Sequence, residues 1–273
     1  AVEVVDESEI RGAGGRDEEV YVAGRGRLVP DLDRLLRRWD RLRADRAPYE
    51  ADWRLLGEFL LPRKRFFADD VSASRKVSSR LFDTSGIESA IVLAASLGGM
   101  LTNPAQAWFS LVVRETDLSK DVQTRGFLED VGGSTYLALS QSNFTTEIGE
   151  TYLDLSVFAT GAILTEQRMP SLPGRFSGLR FTSIPIGEYT IGEDADGCVD
   201  TLYRQVRMSA RACAARFGED KLGDSLRSTY RDRPDEIITL VHAVEPSREY
   251  TAGKRGPRGM KCASYYAHQD SRT

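Results

Sequence analysis

The sequence predicts an α+β protein in which a mainly helical region precedes a β-rich one. Three observations lead there. Between residues 28 and 158, apolar side chains recur at spacings of three and four, the period of helices packed by one face. Near residue 159 the pattern changes to short β-branched and aromatic runs set between Pro, Gly and Asp turns. Residues 1–27 are rich in Gly, Glu, Asp and Arg, with only Val4-Val5 and Val20-Tyr21-Val22 apolar, too little to offset the entropy of ordering. The expected division is a flexible N-terminal arm (1–27), a helical region (28–158) and a β-rich region (159–273).

Pro30 suits the first turn of a helix, and Leu32, Leu35, Leu36, Trp39 and Leu42 form its apolar stripe. Arg34, Arg37, Arg38, Arg41 and Arg43 cover much of the remainder, interleaved with Asp33, Asp40 and Asp45. This reads as a solvated face laced with ion pairs, against the alternative of a basic strip facing DNA. Pro48 should break the run, and Tyr49, Trp53, Leu56 and Leu60 mark a second helix ended by Pro62. The cluster Arg63-Lys64-Arg65-Phe66-Phe67 mixes cations with aromatics, and residues 68–82 read as a polar loop.

The stretch from Asp83 to Phe109 organises the helical region. Asp83, Thr84 and Ser85 can cap a helix, and Ile87, Ala90, Ile91, Ala94 and Leu101 share a face, so a buried helix is expected. Ala94, Ala95, Gly98 and Gly99 would let another helix come close. Asn103-Pro104 stops it, because a residue before proline avoids the α region. Trp108-Phe109 and the apolar run to Val113 then read as the start of a strand and an aromatic anchor. Asn103, Pro104, Trp108 and Phe109 are the expected structural anchors. A helix with Phe127, Leu128, Val131 and Thr135 on one face follows, loosened by Gly132-Gly133, and then one capped by Asn143 with Phe144, Ile148, Tyr152 and Leu155 as its stripe.

Beyond residue 159, strands are expected at Gly161–Thr165, Tyr189–Ile191, Val199–Val206, Ile237–Val244 and Ala263–His268. Asp194-Ala195-Asp196-Gly197 reads as a hairpin turn. In a calcium-loop register its first and last ligand places would fall on Gly192 and Tyr203, which supply no carboxylate. A short helix starts near Met208 and stops at Gly218. Residues 219–235 mix helix and loop, and 247–261 form a loop whose Lys254, Arg255, Arg258 and Lys261 give local positive charge.

Composition narrows the function. The 273 residues are 41% hydrophobic and 29% charged, as in soluble globular proteins. A net charge of −4 argues against a protein whose main task is gripping a nucleic-acid backbone. Cys198, Cys213 and Cys262 show no disulfide or zinc pattern. The most apolar run, Ile91–Leu101, is about half of what a bilayer needs, and no signal peptide is visible, so no membrane role is expected. Gly12-Ala13-Gly14-Gly15 lacks phosphate-loop spacing, and no Walker loop or Gly-x-Ser-x-Gly elbow occurs. His242, in an apolar strand, reads as a core residue rather than a base. No catalytic, cofactor-binding or metal site is therefore expected, and the protein reads as structural rather than enzymatic.

Several motifs in order add to this. Tyr49-Glu50-x-x-Trp53 leads to Leu61-Pro62, and Asp83-Thr84-Ser85-Gly86 to Leu101-Thr102-Asn103-Pro104 and Trp108-Phe109. Ser142-Asn143-Phe144 leads through Glu150-x-Tyr152-x-Asp154-Leu155 to Phe158-Ala159-Thr160-Gly161. Pro185-Ile186-Gly187-Glu188-Tyr189, Gly197-Cys198-Val199-Asp200-Thr201-Leu202-Tyr203-Arg204, Phe217-Gly218 and Val241-His242-Ala243-Val244 with Pro246 follow. In this order they resemble the portal, or head-to-tail connector, proteins of short-tailed double-stranded DNA phages, over about residues 31–268.

The resemblance implies a homo-oligomeric ring, a dodecamer, at one capsid vertex, through which double-stranded DNA is packaged and ejected without sequence-specific binding. Its implied partners are capsid and scaffolding proteins, terminase and tail adaptor proteins, in the virion and, during assembly, the host cytoplasm. The alternative is another virion or capsid-assembly structural protein with no DNA channel. Family members are longer. The resemblance therefore implies either a portal-type subunit incomplete at its C-terminus, chiefly the wing, with stem, clip and carboxyl-terminal parts beyond residue 273, or a divergent short member of the family. The arm before residue 28 matches nothing in the family.

Overall fold

The computed structural model describes residues 4–6, 32–62, 81–113, 121–168, 176–254 and 257–268. Helices and strands are mixed in the α+β manner, and contacts divide the chain into two compact units, residues 1–50 with 188–273 and residues 51–187. The expected regions followed secondary-structure content, which does change near residue 159. The compact units follow packing instead, and of their two boundaries one falls inside a helix, between Glu50 and Ala51, and the other between Gly187 and Glu188.

The first unit is built on an antiparallel sheet of order β1-β7-β6-β5-β4. Its strands are β1 (Val4–Asp6), β4 (Tyr189–Glu193), β5 (Val199–Ser209), β6 (Ile237–Pro246) and β7 (Cys262–His268). β6 is central because it is apolar on both faces, so each face can be covered. On one face, Leu35, Leu36 and Trp39 of α1 (Leu32–Leu60) pack with Tyr203, Val241, Ala243 and Ala267. On the other, α5 (Ala210–Phe217), α6 (Asp224–Asp232) and the connection between them bring Cys213, Phe217, Leu226 and Leu222 against Ile238, Leu240 and Tyr266. Residues alternate between these faces along β5, β6 and β7, so pairing register decides which core a side chain joins.

The second unit holds α2 (Ser85–Leu101), α3 (Val122–Ser140), α4 (Phe144–Phe158) and a two-stranded ribbon of β2 (Ala162–Gln167) and β3 (Leu179–Ile184). α4 packs against both α2 and β3. Gly161, at the α4–β2 corner, is needed for close approach: a Cβ there would sit 3.0 Å from Thr151 Cγ2 and 3.1 Å from the Thr151 carbonyl oxygen.

Several expectations are corrected. Pro48 does not break the first helix, since α1 runs through it. Proline removes one rung of the ladder, and the Arg46–Glu50 ion pair, 2.6 Å across one helical turn, spans the gap. The arginine-covered face of α1 is not simply solvated, because Arg34 and Arg38 turn toward the sheet. α2 is a helix but only partly buried. Along α3, Phe127 is 66% exposed and Gly132 is the buried position, so the expected stripe is not a core face. On α4, Thr151, Tyr152, Asp154, Val157 and Phe158 are buried, whereas Leu155 is exposed. Within the expected arm, Val4–Asp6 pair antiparallel with Ala267, Tyr266 and Tyr265 of the same chain. Pro30, the Arg63–Phe67 cluster, the Gly12–Gly15 run and most of the polar loop lie outside the described residues.

The Asp194–Gly197 turn is a hairpin. The Asp194 carboxylate accepts from the amides of Asp196 and Cys198, both at 2.9 Å, and Gly197 has φ 75°.

Candidate functional site

The organising stretch lies in the second unit. Asp83 rather than Thr84 opens α2, accepting from the Ser85 amide at 3.0 Å and its hydroxyl at 2.8 Å. Those two bonds hold the Asp83 carboxyl below its usual range. Ala90 and Ala94 are the buried residues of α2, and a Cβ at Gly98 would lie 3.7 Å from Tyr152 Cδ2 of α4. The α2–α4 seam is therefore a stripe of small side chains meeting a large one, tied at its end by Tyr152 Oη donating to Thr102 Oγ1 at 3.2 Å.

Much of α2 outside this seam is uncovered among the described residues. Val92, Leu93 and Met100 are exposed on the side away from it, Met100 by 82%, and Ile91 and Leu101, which flank the seam, are exposed as well. A shallow depression of about 520 Å³ runs along Ser85, Glu88, Ser89, Val92, Leu93 and Ser96. Exposed apolar side chains grouped on one helix are a feature of interaction surfaces in proteins.

The expected anchors lie directly beyond α2. Asn103 and Pro104 form the turn after Leu101: Asn103 Oδ1 accepts from the Ala105 amide at 2.9 Å, and the Gln106 amide donates to the Asn103 carbonyl at 3.4 Å. Residues 107–113 form no strand, contrary to expectation. The Tyr136 hydroxyl takes both groups that a ladder would use at Phe109, accepting from its amide at 2.6 Å and donating to its carbonyl at 2.9 Å.

The rings complete the arrangement. Phe109 stacks on Tyr136 with centroids 4.3 Å apart, and Trp108 lies parallel to Phe144 at 5.9 Å. Phe144 meets Phe181 of β3 edge-on at 5.1 Å. Trp108 is itself 36% exposed, at the rim of the cluster.

Sequence reasoning missed Tyr136 and the part played by Asn143. Asn143 makes no cap bond; its amide brackets Phe181, accepting from the amide N–H at 2.9 Å and donating to the carbonyl at 2.8 Å. Glu147 accepts from the Ser183 amide at 2.7 Å. Together they occupy the β3 edge that β2 leaves open. The only sequence signal was the Ser142-Asn143-Phe144 motif itself.

Two polar clusters lie in the first unit, one on each sheet face. Glu245, 3% exposed, accepts from Arg34 at 2.6 Å and from the Tyr203 hydroxyl at 3.0 Å, with Arg38 3.5 Å away. Burial, then the charge of Glu245, pushes the Tyr203 phenol far above its usual range, so it stays a donor. On the opposite face, His242 Nδ1 accepts from Arg204 Nε at 2.9 Å, and Nε2 lies 2.8 Å from Ser264 Oγ. A guanidinium can only donate, so the proton of the neutral ring sits on Nε2 and points at the serine. The ring therefore has no lone pair available to activate that hydroxyl, and a Tyr266 ring stacked at 4.2 Å pins it further.

Among the described residues no group of three or more His, Cys, Asp or Glu could hold a metal, and no helix is long and apolar enough to cross a membrane.

Among the described residues, then, one unit is a helix-covered sheet and the other carries a helix with exposed apolar side chains. The chain belongs to the family of bacteriophage head to tail connecting proteins, whose model matches residues 32–273. It is 30% identical over 234 residues to the probable portal protein of Bordetella phage BPP-1, covering 85% of this chain and 41% of that protein. It is 25% identical over 238 residues to the portal protein of Salmonella phage epsilon15, covering 86% of this chain and 42% of that protein. The chain thus spans about two fifths of the length of these relatives.

Proposed function

We propose that this chain is the wing-bearing part of a portal subunit, the head-to-tail connector through which double-stranded DNA enters the capsid and later leaves it. The observation that carries this is the match to the connecting-protein family over residues 32–273. In this reading twelve copies close into a ring at one capsid vertex. Capsid and scaffolding proteins surround it, terminase docks on it during packaging in the host cytoplasm, and tail adaptor proteins replace terminase in the virion.

The function is mechanical and needs no catalytic residue. The exposed apolar face of α2 supports it, because ring closure would bury such a surface. A net charge of −4 is also suitable, since a strongly basic lumen would hold DNA through counterion release and impede its sliding.

Negative-stain electron microscopy of the full-length gene product tests the proposal. Closed rings with a central channel are expected. A product that stays monomeric at all concentrations, or enters virions without forming a channel, would move the assignment to another capsid-assembly protein.

A further inference from the structure

The connection between β6 and β7 stands apart in charge from the rest of the chain. Between Ser247 and Lys261 the described cations are Arg248, Lys254, Arg258 and Lys261, and the only acidic residue is Glu249. The chain as a whole carries −4.

The connection has a built shape. The β6–β7 pairing ends at Pro246 opposite Cys262, and the hairpin continues beyond it. The Ser247 amide donates to the Lys261 carbonyl at 2.8 Å, and the Thr251 amide to the Arg258 carbonyl at 2.7 Å. Gly253, with φ 79°, turns the chain, and the Lys254 amide closes on the Thr251 carbonyl at 3.2 Å. Gly259 lies so close to the Lys254 carbonyl that no side chain could replace its hydrogen.

Arg248 and Lys261 therefore sit at the base of the hairpin, Arg258 along it and Lys254 near its turn. All four are exposed, and none is paired with a carboxylate among the described residues. Elsewhere in the first unit several arginines have partners, buried ones as Arg34 on Glu245 and Arg204 on His242, or exposed ones as Arg231 on Glu219. Four cations without a carboxylate partner among the described residues, spread along a hairpin, match a linear polyanion better than a compact anion, which would need them gathered at one point.

We propose that the β6–β7 hairpin contacts the phosphate backbone of duplex DNA without reading its sequence. Taking DNA as the polyanion rests on the portal reading above. The contact is compatible with sliding because the hairpin is a local basic patch on a chain of net charge −4 rather than a basic lining, and its exposed, water-screened cations bind weakly, with salt weakening them steeply.

The test is fluorescence anisotropy of a labelled 30-base-pair duplex titrated with the 273-residue chain between 50 and 200 mM NaCl. About four phosphate contacts give a log–log salt slope near −3.6, or about a 100-fold loss of affinity over that range. Removing two cations, in Lys254→Gln/Arg258→Gln or separately in Arg248→Gln/Lys261→Gln, should lower the magnitude of the slope by about two. Arg41→Gln/Arg125→Gln, which removes equal charge elsewhere, should leave it unchanged. Circular dichroism confirms that each variant is folded, and the two hairpin pairs guard against one failing to fold.

No binding at 50 mM, or equal losses in hairpin and control variants, would overturn the inference. Competition by polyglutamate as effective as by duplex would also overturn it, in favour of an acidic protein partner. A chain that binds DNA through the hairpin while the gene product forms no rings would sink the portal reading. Rings without hairpin-dependent binding would sink only this inference.

Discussion

At Glu245 the direction of a substitution should matter more than its size. The carboxylate is buried, whereas Arg34 and Arg38 are 27% and 41% exposed in their side chains. Arg34→Ala leaves a buried charge short of its partner and should cost about 2–4 kcal/mol, near the range for breaking buried pairs. Glu245→Gln keeps an acceptor for Tyr203 while both arginines reach water, so it should cost about 1–2 kcal/mol. Denaturant midpoints of the two variants compare them, and the reverse order would show that Glu245 is better solvated than its burial implies.

Trp108 sets a second expectation. A fully buried aromatic cut to Ala costs about 3–5 kcal/mol, but Trp108 is 36% exposed, so about 1–3 kcal/mol is expected. Tyr136→Phe keeps the ring and removes the hydroxyl that holds both backbone groups of Phe109, for about 1–2 kcal/mol. Thermal melts read both, and an unchanged Tyr136→Phe would mean that water replaces the hydroxyl at no loss.

Glu188 supplies a pH dependence. Burial raises its carboxyl above the ordinary value of 4.5, with Arg204 and Arg207 partly opposing the shift. A raised acid binds its proton more readily in the folded state, so stability falls as pH rises from 4.5 through the folded value. Glu188→Gln should flatten stability against pH in that window and be neutral or stabilising at pH 7. Urea midpoints at pH 4, 5, 6 and 7 measure it, and a variant as pH-sensitive as the parent contradicts the assignment.

Among the elements, the α2–α4 seam should be the least tolerant of added volume. Gly98 faces the Tyr152 ring, so Gly98→Leu must push the helices apart or displace that ring and its bond to Thr102. Overpacking of this kind typically costs about 1–3 kcal/mol. Gly99, one position on, has open space where a Cβ would go, so Gly99→Ala should be stabilising by up to about 1 kcal/mol through helix propensity. If the two variants melt alike, the seam is not where the packing puts it. In α1 the helix continues through an exposed Pro48, with Arg46 and Glu50 paired across it.

For the molecule as a whole, the proposed ring requires that the outer face of α2 be covered by assembly. Leu93→Gln, at a residue 50% exposed, should change the melting of the isolated chain by no more than about 0.5 kcal/mol, as surface changes do. It should nonetheless lower the fraction of full-length gene product found in rings. Sedimentation velocity measures that fraction, and an unchanged ring fraction would remove α2 from the interface.

The sequence by itself determined the α+β class, most strand positions, the Asn103-Pro104 stop, the Asp194–Gly197 hairpin and, through the order of its motifs, the family. These are local properties: side-chain period, turn chemistry and wording are written along the chain. Only the tertiary structure decided which apolar faces find a partner. Ile91 and Ala94 lie on the same expected face of α2, yet Ala94 is buried and Ile91 is 52% exposed, because close approach to α4 follows small side chains rather than hydrophobicity. It also decided that Arg34 and Arg38 serve a buried carboxylate 211 and 207 residues away, and that Tyr136, not a neighbouring strand, holds Phe109. Helical or strand period reports where a residue points from its own element; which distant group meets it there is set by how the elements pack.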